Sequence, residues 1–178
     1  MDALQSLIDT VFPNIESRIE STCSTINQAI LTTKNDFVDE INDILINKFP
    51  GVATEYFSFG ETLDPNDQAQ YEDFLNSLAP TGLPPHKLLL KPNSPVILLR
   101  NLDPTEGLCN GTRLICRSLN KNVIHAEIVV GDFAGKDVFI HRIPLQPTSD
   151  QQYPVPFKRT QFPIRLCFAM TIRHRVKL

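Results

Sequence analysis

Hydrophobic and polar residues alternate with two different periods along this chain, and the change falls near Pro80. Before that point, apolar residues recur at intervals of three and four in three segments, which is typical of amphipathic helices, and short apolar runs separate these segments. After it, short runs rich in β-branched residues are separated by turn residues. The first part therefore predicts a piece of an α/β sheet with covering helices, and the second predicts a small antiparallel barrel.

Helix-capping and helix-terminating residues predict where the elements of the first part begin and end. Asn35 is a suitable N-cap for the apolar stripe that follows it, Pro50-Gly51 ends that helix, and Asp64-Pro65 starts another. The predicted elements are a helix over 1–23, a strand over 28–33, a helix from Asn35, a strand over 53–59 and a helix from Asp64.

Strand-like runs dominate the second part of the chain. Four of them, at 95–101, 112–119, 123–131 and 137–144, are joined by short turns and predict an antiparallel meander. The stretch 157–172 differs, because its run FPIRLCFAMTI is too apolar for a surface strand. We expect this stretch to rejoin the first sheet.

Charge is divided between the same two parts of the chain. Residues 1–80 hold 14 Asp and Glu against 3 Lys and Arg, whereas residues 81–178 hold 6 and 14. A basic half in an otherwise acidic chain is what a phosphate-facing surface would produce, although Lys and Arg scattered on strands are also ordinary solvated charges. Charge alone leaves both interpretations open.

Several classes of protein are excluded by simpler features. The cysteines (Cys23, Cys109, Cys116 and Cys167) form no CxxC pair and no His lies at ligand spacing, so we expect buried thiols rather than a zinc site or disulfides. No run approaches the roughly 18 apolar residues of a membrane span, and the N-terminus MDALQSLIDT lacks the order of a secretory signal. We therefore expect an intracellular protein with no membrane partner.

One turn carries candidate chemistry. Asn110-Gly111 can form a tight turn with positive φ, and its amides, the Thr112 hydroxyl and the Arg113 guanidinium could together meet a phosphate. The alternative is a plain hairpin turn with a solvated arginine.

Four segments occur in a fixed order: 29–42 (AILTTKNDFVDEIN), 95–104 (PVILLRNLDP), 107–114 (GLCNGTRL) and 162–172 (FPIRLCFAMTI). Together they resemble the C-terminal part of DNA helicases of the Pif (petite integration frequency) family, which includes the helicases of Helitron-type mobile elements. The first segment resembles the family's fourth helicase motif, the next two its inserted SH3-like subdomain, and the last the strand that enters the fifth motif. NLDP followed by GLCNGTRL is the most specific part of the resemblance.

The resemblance implies an α/β fold, a partial RecA-like helicase domain (2A) with an inserted SH3-like antiparallel β-barrel (the 2B subdomain). It places the partial RecA-like domain at 1–80 and the 2B subdomain at 85–150. The remainder, 155–178, is expected to be a truncated strand returning to the RecA-like domain.

The chain also departs from the family. After Ile172 it has Arg-His-Arg-Val-Lys-Leu in place of a Lys-Ser-Gln-Gly loop that contacts nucleic acid. The family's cofactors are ATP and Mg²⁺, but the phosphate-binding Lys, the magnesium-binding acids and the arginine for the γ-phosphate have no counterpart here. We therefore expect no cofactor, catalytic residue or metal site in this chain, and no ATP hydrolysis or unwinding by the chain alone.

The function implied for the parent protein is ATP-dependent DNA unwinding in replication, repair, recombination or transposition. For this chain alone we expect weak, sequence-independent binding of single-stranded DNA. The residues expected to bind it are Thr33, Lys34 and Asn35 in the fourth motif, Asn110, Gly111, Thr112 and Arg113 in the barrel turn, and the basic Lys158 and Arg159.

Other expectations concern partners and location. A complete helicase or other replication and repair proteins are possible partners, and the nucleus is the expected location because DNA is found there. Two alternatives stay open: a protein-interaction module of the SH3-like type, and a nonfunctional remnant of a mobile-element helicase. Three Tyr and no Trp argue against a groove for proline-rich peptides.

Overall fold

The described part of the chain, residues 3–17, 28–148 and 152–171 of a computed structural model, consists of three α-helices and twelve short strands. The helices are α1 (Ala3–Val11), α2 (Asn35–Lys48) and α3 (Gln68–Ser77). The strands are β1 (Ile30–Thr32), β2 (Thr54–Phe57), β3 (Phe59–Thr62), β4 (Lys87–Leu90), β5 (Pro95–Leu98), β6 (Arg113–Leu119), β7 (Val123–Ile128), β8 (Asp137–His141), β9 (Ile143–Leu145), β10 (Phe157–Gln161), β11 (Ile164–Leu166) and β12 (Ala169–Thr171). None of the helices in these ranges is long and apolar enough to cross a membrane.

A parallel pair joins β1, in the first part of the chain, to β12, the last described strand. Ile30 of β1 lies opposite Ala169 of β12, and Thr32 lies opposite Thr171. Parallel strands need a long connection, and here most of the chain forms it. Helix α2 follows β1 and packs against β12. The strand expected to rejoin the first sheet therefore lies beside β1.

The second part of the chain forms an antiparallel sheet of five strands in the order β11–β5–β6–β7–β8. Side chains along β7 and β8 alternate between the core and the outer face, as expected for a sheet with one solvated side. A bulge between Cys116 and Ser118 interrupts the pairing of β6 with β7. The sheet is SH3-like, but β8 and β11 are its edges and do not pair to close a barrel.

Two smaller sheets share one nearly continuous strand. β2 pairs with β4, and β3, one residue further along, pairs with β10, whose other neighbour is β9. The amide of Ser58, between β2 and β3, donates to the carbonyl of His86 over 2.8 Å, so the hydrogen-bond ladder continues through the junction. β4 lies in the stretch 80–95, which holds five prolines and for which no strand was predicted.

Some predicted elements are shorter than expected. The first helix ends at Val11, two residues before Pro13, and a 3-10 turn follows at Ile15–Ser17, because proline cannot continue the helical ladder. The rest of the predicted helix lies outside the described residues, as does Cys23. The apolar stretch 157–172 forms three strands rather than one, and Pro163 stands between the first two.

One hydrophobic cluster crosses the predicted domain bounds. It includes Ile8 of α1, Leu45 of α2, Leu88 of β4, Leu114 of β6 and Phe168, which precedes β12. The buried side chains of the three predicted segments thus pack into one shared cluster. The division at 1–80, 85–150 and 155–178 stays a prediction.

Candidate nucleic-acid interface

The turn between β1 and α2 is exposed at each of its predicted DNA-binding residues, Thr33, Lys34 and Asn35. Lys34 occupies the N-cap position with an extended backbone, and its side chain makes no capping hydrogen bond. The first amides of a helix have no intrahelical partner, and the helix dipole adds partial positive charge at this end. The turn therefore combines a solvent-facing ammonium with a helix N-terminus, a combination that favours an anion.

Two apolar side chains beside this turn are also exposed. Phe37, in the first turn of α2, is 47% exposed, and Leu31 of β1 is 56% exposed. The Nζ atom of Lys34 lies 5.9 Å from the centre of the Phe37 ring. Helical spacing assigns Phe37 to the apolar stripe that follows Asn35, so its exposure is not predictable from the sequence. Ring and ammonium together could contact both a base and a phosphate.

Behind this turn lies a cleft of about 680 Å³ with an acidic wall from Asp36, Asp39 and Asp43 of α2. Arg165 of β11 is ion-paired with Asp39 here. Burial and the neighbouring Asp39 raise the pKa of Asp43, an effect that Arg165 partly opposes. These carboxylates disfavour phosphate along the α2 wall of the cleft.

The barrel turn at Asn110, Gly111 and Thr112 satisfies its own backbone. The amide of Gly111, whose φ is 91°, donates to the Leu98 carbonyl over 2.8 Å, and that of Asn110 donates to Asn101 Oδ1 over 2.8 Å. The Thr112 amide donates to the Cys109 carbonyl. The Thr112 hydroxyl donates to the Gly107 carbonyl over 2.8 Å and accepts from the Cys109 amide over 3.1 Å. The amides expected to meet a phosphate thus hold the turn together.

Arg113, the fourth residue of that motif, points into the protein. Its side chain is 7% exposed, and Nη2 donates to the Gln28 carbonyl over 3.2 Å. Its Nε is buried without a hydrogen-bond partner among the described residues. The guanidinium lies near Cys167, where burial raises the pKa of the thiol and the positive charge of Arg113 opposes the rise. Because Arg113 is buried, it is poorly placed for a direct DNA contact. It is also not the solvated arginine of a plain hairpin turn, which was the alternative interpretation.

Lys158 and Arg159 are neighbours on β10 with opposite environments. Lys158 is partly exposed and forms an ion pair with Glu61 across the sheet at 3.2 Å. Arg159 is 1% exposed, and its guanidinium donates to three backbone carbonyls. These belong to Leu75 at 2.5 Å, Leu78 at 3.0 Å and Pro84 at 3.1 Å. Arg159 therefore joins α3 and the following loop to the sheet, whereas Lys158 faces solvent.

The residues named for DNA binding thus fall into two groups. Thr33, Lys34 and Asn35 form one exposed turn, and Asn110 and Lys158 are accessible elsewhere. In the second group, Arg113 and Arg159 are buried, and the polar groups of Gly111 and Thr112 are bonded within the protein. For metals, no group of three or more His, Cys, Asp or Glu in the described part of the chain is arranged to hold an ion.

Comparison with known proteins supports the resemblance in sequence and in fold. Residues 73–119 match the family described as DNA helicase Pif1, 2B domain. The Pif1 helicase from Candida albicans shares the fold with a TM-score of 0.63 at 20% identity, covering 84% of this chain and 37% of that one. Unliganded Pif1 from a Bacteroides species gives a TM-score of 0.59 at 23% identity, with 88% and 46% covered.

A further solved structure, Bacteroides Pif1 bound to single-stranded DNA, gives a TM-score of 0.57 at 22% identity, with 83% of this chain and 31% of that chain covered. No curated protein sequence matches this chain. The chain spans between about a third and a half of the length of these helicase structures. The 2B match and the shared fold confirm the resemblance to the C-terminal part of a Pif-family helicase.

Proposed function

We propose that this chain is part of an ATP-dependent DNA helicase and that its own contribution is weak, sequence-independent binding of single-stranded DNA. The match of residues 73–119 to the Pif1 2B domain is the observation that carries the proposal. A solved relative of the same fold is described as bound to single-stranded DNA. The exposed turn at Thr33, Lys34 and Asn35 is the surface that we assign to the strand.

The proposed contact is mainly electrostatic. The Lys34 ammonium and the N-terminus of α2 would face the phosphates, and the exposed Phe37 ring would face a base. Such contacts carry little sequence information, so one oligonucleotide should bind about as well as another. Affinity should fall as the salt concentration rises, because phosphate neutralisation releases counterions.

The remaining parts of the helicase cycle are proposed to lie elsewhere. ATP and Mg²⁺ would be held by residues outside this sequence, and the chain by itself would neither hydrolyse ATP nor unwind DNA. A complete helicase or other replication and repair proteins are the partners that we propose, and the nucleus the location.

Fluorescence anisotropy of a labelled single-stranded oligonucleotide tests the proposal with the whole chain at several salt concentrations. Lys34→Ala should weaken binding about fivefold, which corresponds to one hydrogen bond of ordinary net strength. It should also reduce the slope of log affinity against log salt by about 0.7, the value for one phosphate contact on a single strand.

Lys48→Ala is the matched control, because Lys48 lies in the last turn of the same helix. It should leave the affinity unchanged. Absence of binding by the wild-type chain at low salt would refute the proposed function. Equal losses of affinity in both variants would refute the turn as the surface that binds the strand.

A further inference from the structure

Two phenylalanine side chains point outward from the nearly continuous strand β2–β3. Phe57 is 54% exposed and Phe59 is 56% exposed, whereas Tyr56 and Ser58 point into the protein. Alternate residues of a strand lie on one face about 6.7 Å apart, so the two rings are neighbours on the outer surface. We call this pair the phenylalanine strip.

Basic groups adjoin the strip on the neighbouring strands. Lys87 of β4 lies directly opposite Phe57, and its Nζ atom is 6.0 Å from the centre of that ring. The ring of His86 is 5.7 Å from that of Phe57, centre to centre. The residue opposite Phe59 is Thr160, whose small side chain is followed on the outer face by Lys158.

The acidic residues at the two ends of the strip are both ion-paired. Glu55 accepts from Lys87 over 2.6 Å, and Glu61 pairs with Lys158 at 3.2 Å. The four side chains are between about a third and a half exposed, so each pair can exchange its carboxylate for a phosphate at small cost. The strip is therefore a flat aromatic surface bounded by two lysines whose carboxylate partners are exchangeable.

Another exposed phenylalanine lies in a different environment. Phe139 of β8 is 62% exposed, but its ring is stacked on His125, with centres 5.1 Å apart and planes 23° apart. His125 is in turn bound to Asp137 over 2.8 Å. One face of the Phe139 ring is thus already covered by His125, and the Asp137 carboxylate lies close by. Phe139 therefore has less free ring surface for stacking on a base than the two rings of the strip have.

We propose that the phenylalanine strip stacks bases of single-stranded DNA, as a contact additional to the turn at Lys34; the proposal rests on the proposed function. Aromatic side chains on the outer face of a sheet stack bases without regard to sequence, because every base has a π face. The lysines beside the rings supply the charge that the backbone of the strand requires. Affinity from this site depends on the bases themselves more than on phosphate charge.

Anisotropy titrations with two oligonucleotides separate base stacking from charge. One is a labelled thymidine oligonucleotide, and the other has the same length but abasic sugars at its centre. The wild-type chain should bind the abasic strand about tenfold more weakly. The double variant Phe57→Ala, Phe59→Ala should bind the intact strand about tenfold more weakly than wild type. It should also discriminate less between the two strands, and the discrimination that remains would come from Phe37.

Two further variants complete the test, with circular dichroism to confirm that each is folded. Phe57→Leu, Phe59→Leu keeps apolar bulk without a flat ring and should behave like the alanine variant. Phe139→Ala removes an equally exposed ring elsewhere and should behave like wild type. Each of these results supports stacking at the strip.

The outcomes also separate this proposal from the proposed function. If the alanine variant binds and discriminates like wild type while Lys34→Ala still weakens binding, base stacking at the strip is refuted. The proposed function, binding of single-stranded DNA at the turn, then stands. If the leucine variant keeps full affinity, the surface is a general apolar contact, and base stacking is refuted. No binding of either strand by the wild-type chain at low salt would refute both proposals.

Discussion

Burial separates basic residues that look equivalent in the sequence. Lys34 and Lys158 reach solvent, whereas Arg113 and Arg159 are 7% and 1% exposed and bind backbone carbonyls. A guanidinium has five donors in a planar fork, so it can satisfy several carbonyls that would otherwise be buried without partners. The arginines of the basic half thus include fold-stabilising residues as well as surface charges.

Arg159 can be tested through the stability of the protein. Arg159→Met should lower the free energy of unfolding by about 3 kcal/mol, because it leaves the carbonyls of Leu75, Leu78 and Pro84 without their charged donor. Urea unfolding followed by circular dichroism measures the change. Lys158→Met on the same strand removes only a partly exposed ion pair and should cost less than about 1 kcal/mol. Similar losses in the two variants would contradict the structural role of Arg159.

At the scale of elements, the parallel pair β1–β12 is short and depends on α2. Its three residue pairs would be marginal alone, since isolated two-stranded units are barely stable. Asn42, 3% exposed on the inner face of α2, adds specific contacts. Its Nδ2 donates to the carbonyls of Leu166 and Ala169 at 3.2 Å, and its Oδ1 accepts from the Ala169 amide over 2.9 Å. One side chain thus joins the helix to the start of β12.

Asn42→Ala should lower the free energy of unfolding by about 2 kcal/mol, because a buried amide and two buried carbonyls lose their partners. Thermal and urea unfolding of the purified variant measure this change. Asn47→Ala is the control on the same helix. Its side chain makes one exposed hydrogen bond to the Asp43 carbonyl, so its effect should stay within about 0.5 kcal/mol. A result in which Asn42→Ala is as mild as this control would mean that α2 holds β12 by apolar packing alone.

The order of these elements was largely predictable from local pattern. The strand before Asn35, the helix after it and the four-strand meander all occur close to their predicted positions. Prediction was poorest where a prolyl residue or a distant partner decides the outcome. β4 forms in a proline-rich stretch because it pairs with β2, some thirty residues earlier, and no local period announces such pairing.

For the whole molecule, we expect cooperative unfolding, because side chains of all three predicted segments pack into one hydrophobic cluster. Cys116 of β6 and Cys167, just after β11, are both fully buried, in separate apolar clusters. Burial raises the pKa of the Cys116 thiol to about 12, so its reactive thiolate is scarce in the folded protein. Both thiols should therefore become reactive only when the protein unfolds.

Pulsed labelling with a thiol reagent at increasing urea concentrations tests this in a Cys23→Ser, Cys109→Ser variant. Cys116 and Cys167 should be labelled at the same urea midpoint, and this should coincide with the loss of the circular dichroism signal. Cys109, which is partly exposed, should react without denaturant in the wild-type chain. Labelling of Cys167 at a clearly lower urea concentration than Cys116 would show that the predicted domains unfold separately.

The sequence by itself determined the α/β class, the order of most elements and the resemblance to Pif-family helicases, because these depend on local period, turn residues and short motifs. It also directed attention to the turn at Thr33, Lys34 and Asn35. Tertiary structure alone decided which basic side chains are available to DNA. Arg159 is withdrawn from solvent by carbonyls of Leu75, Leu78 and Pro84, which are remote in sequence. Burial and outward orientation are properties of packed neighbours, so the residues themselves cannot reveal them.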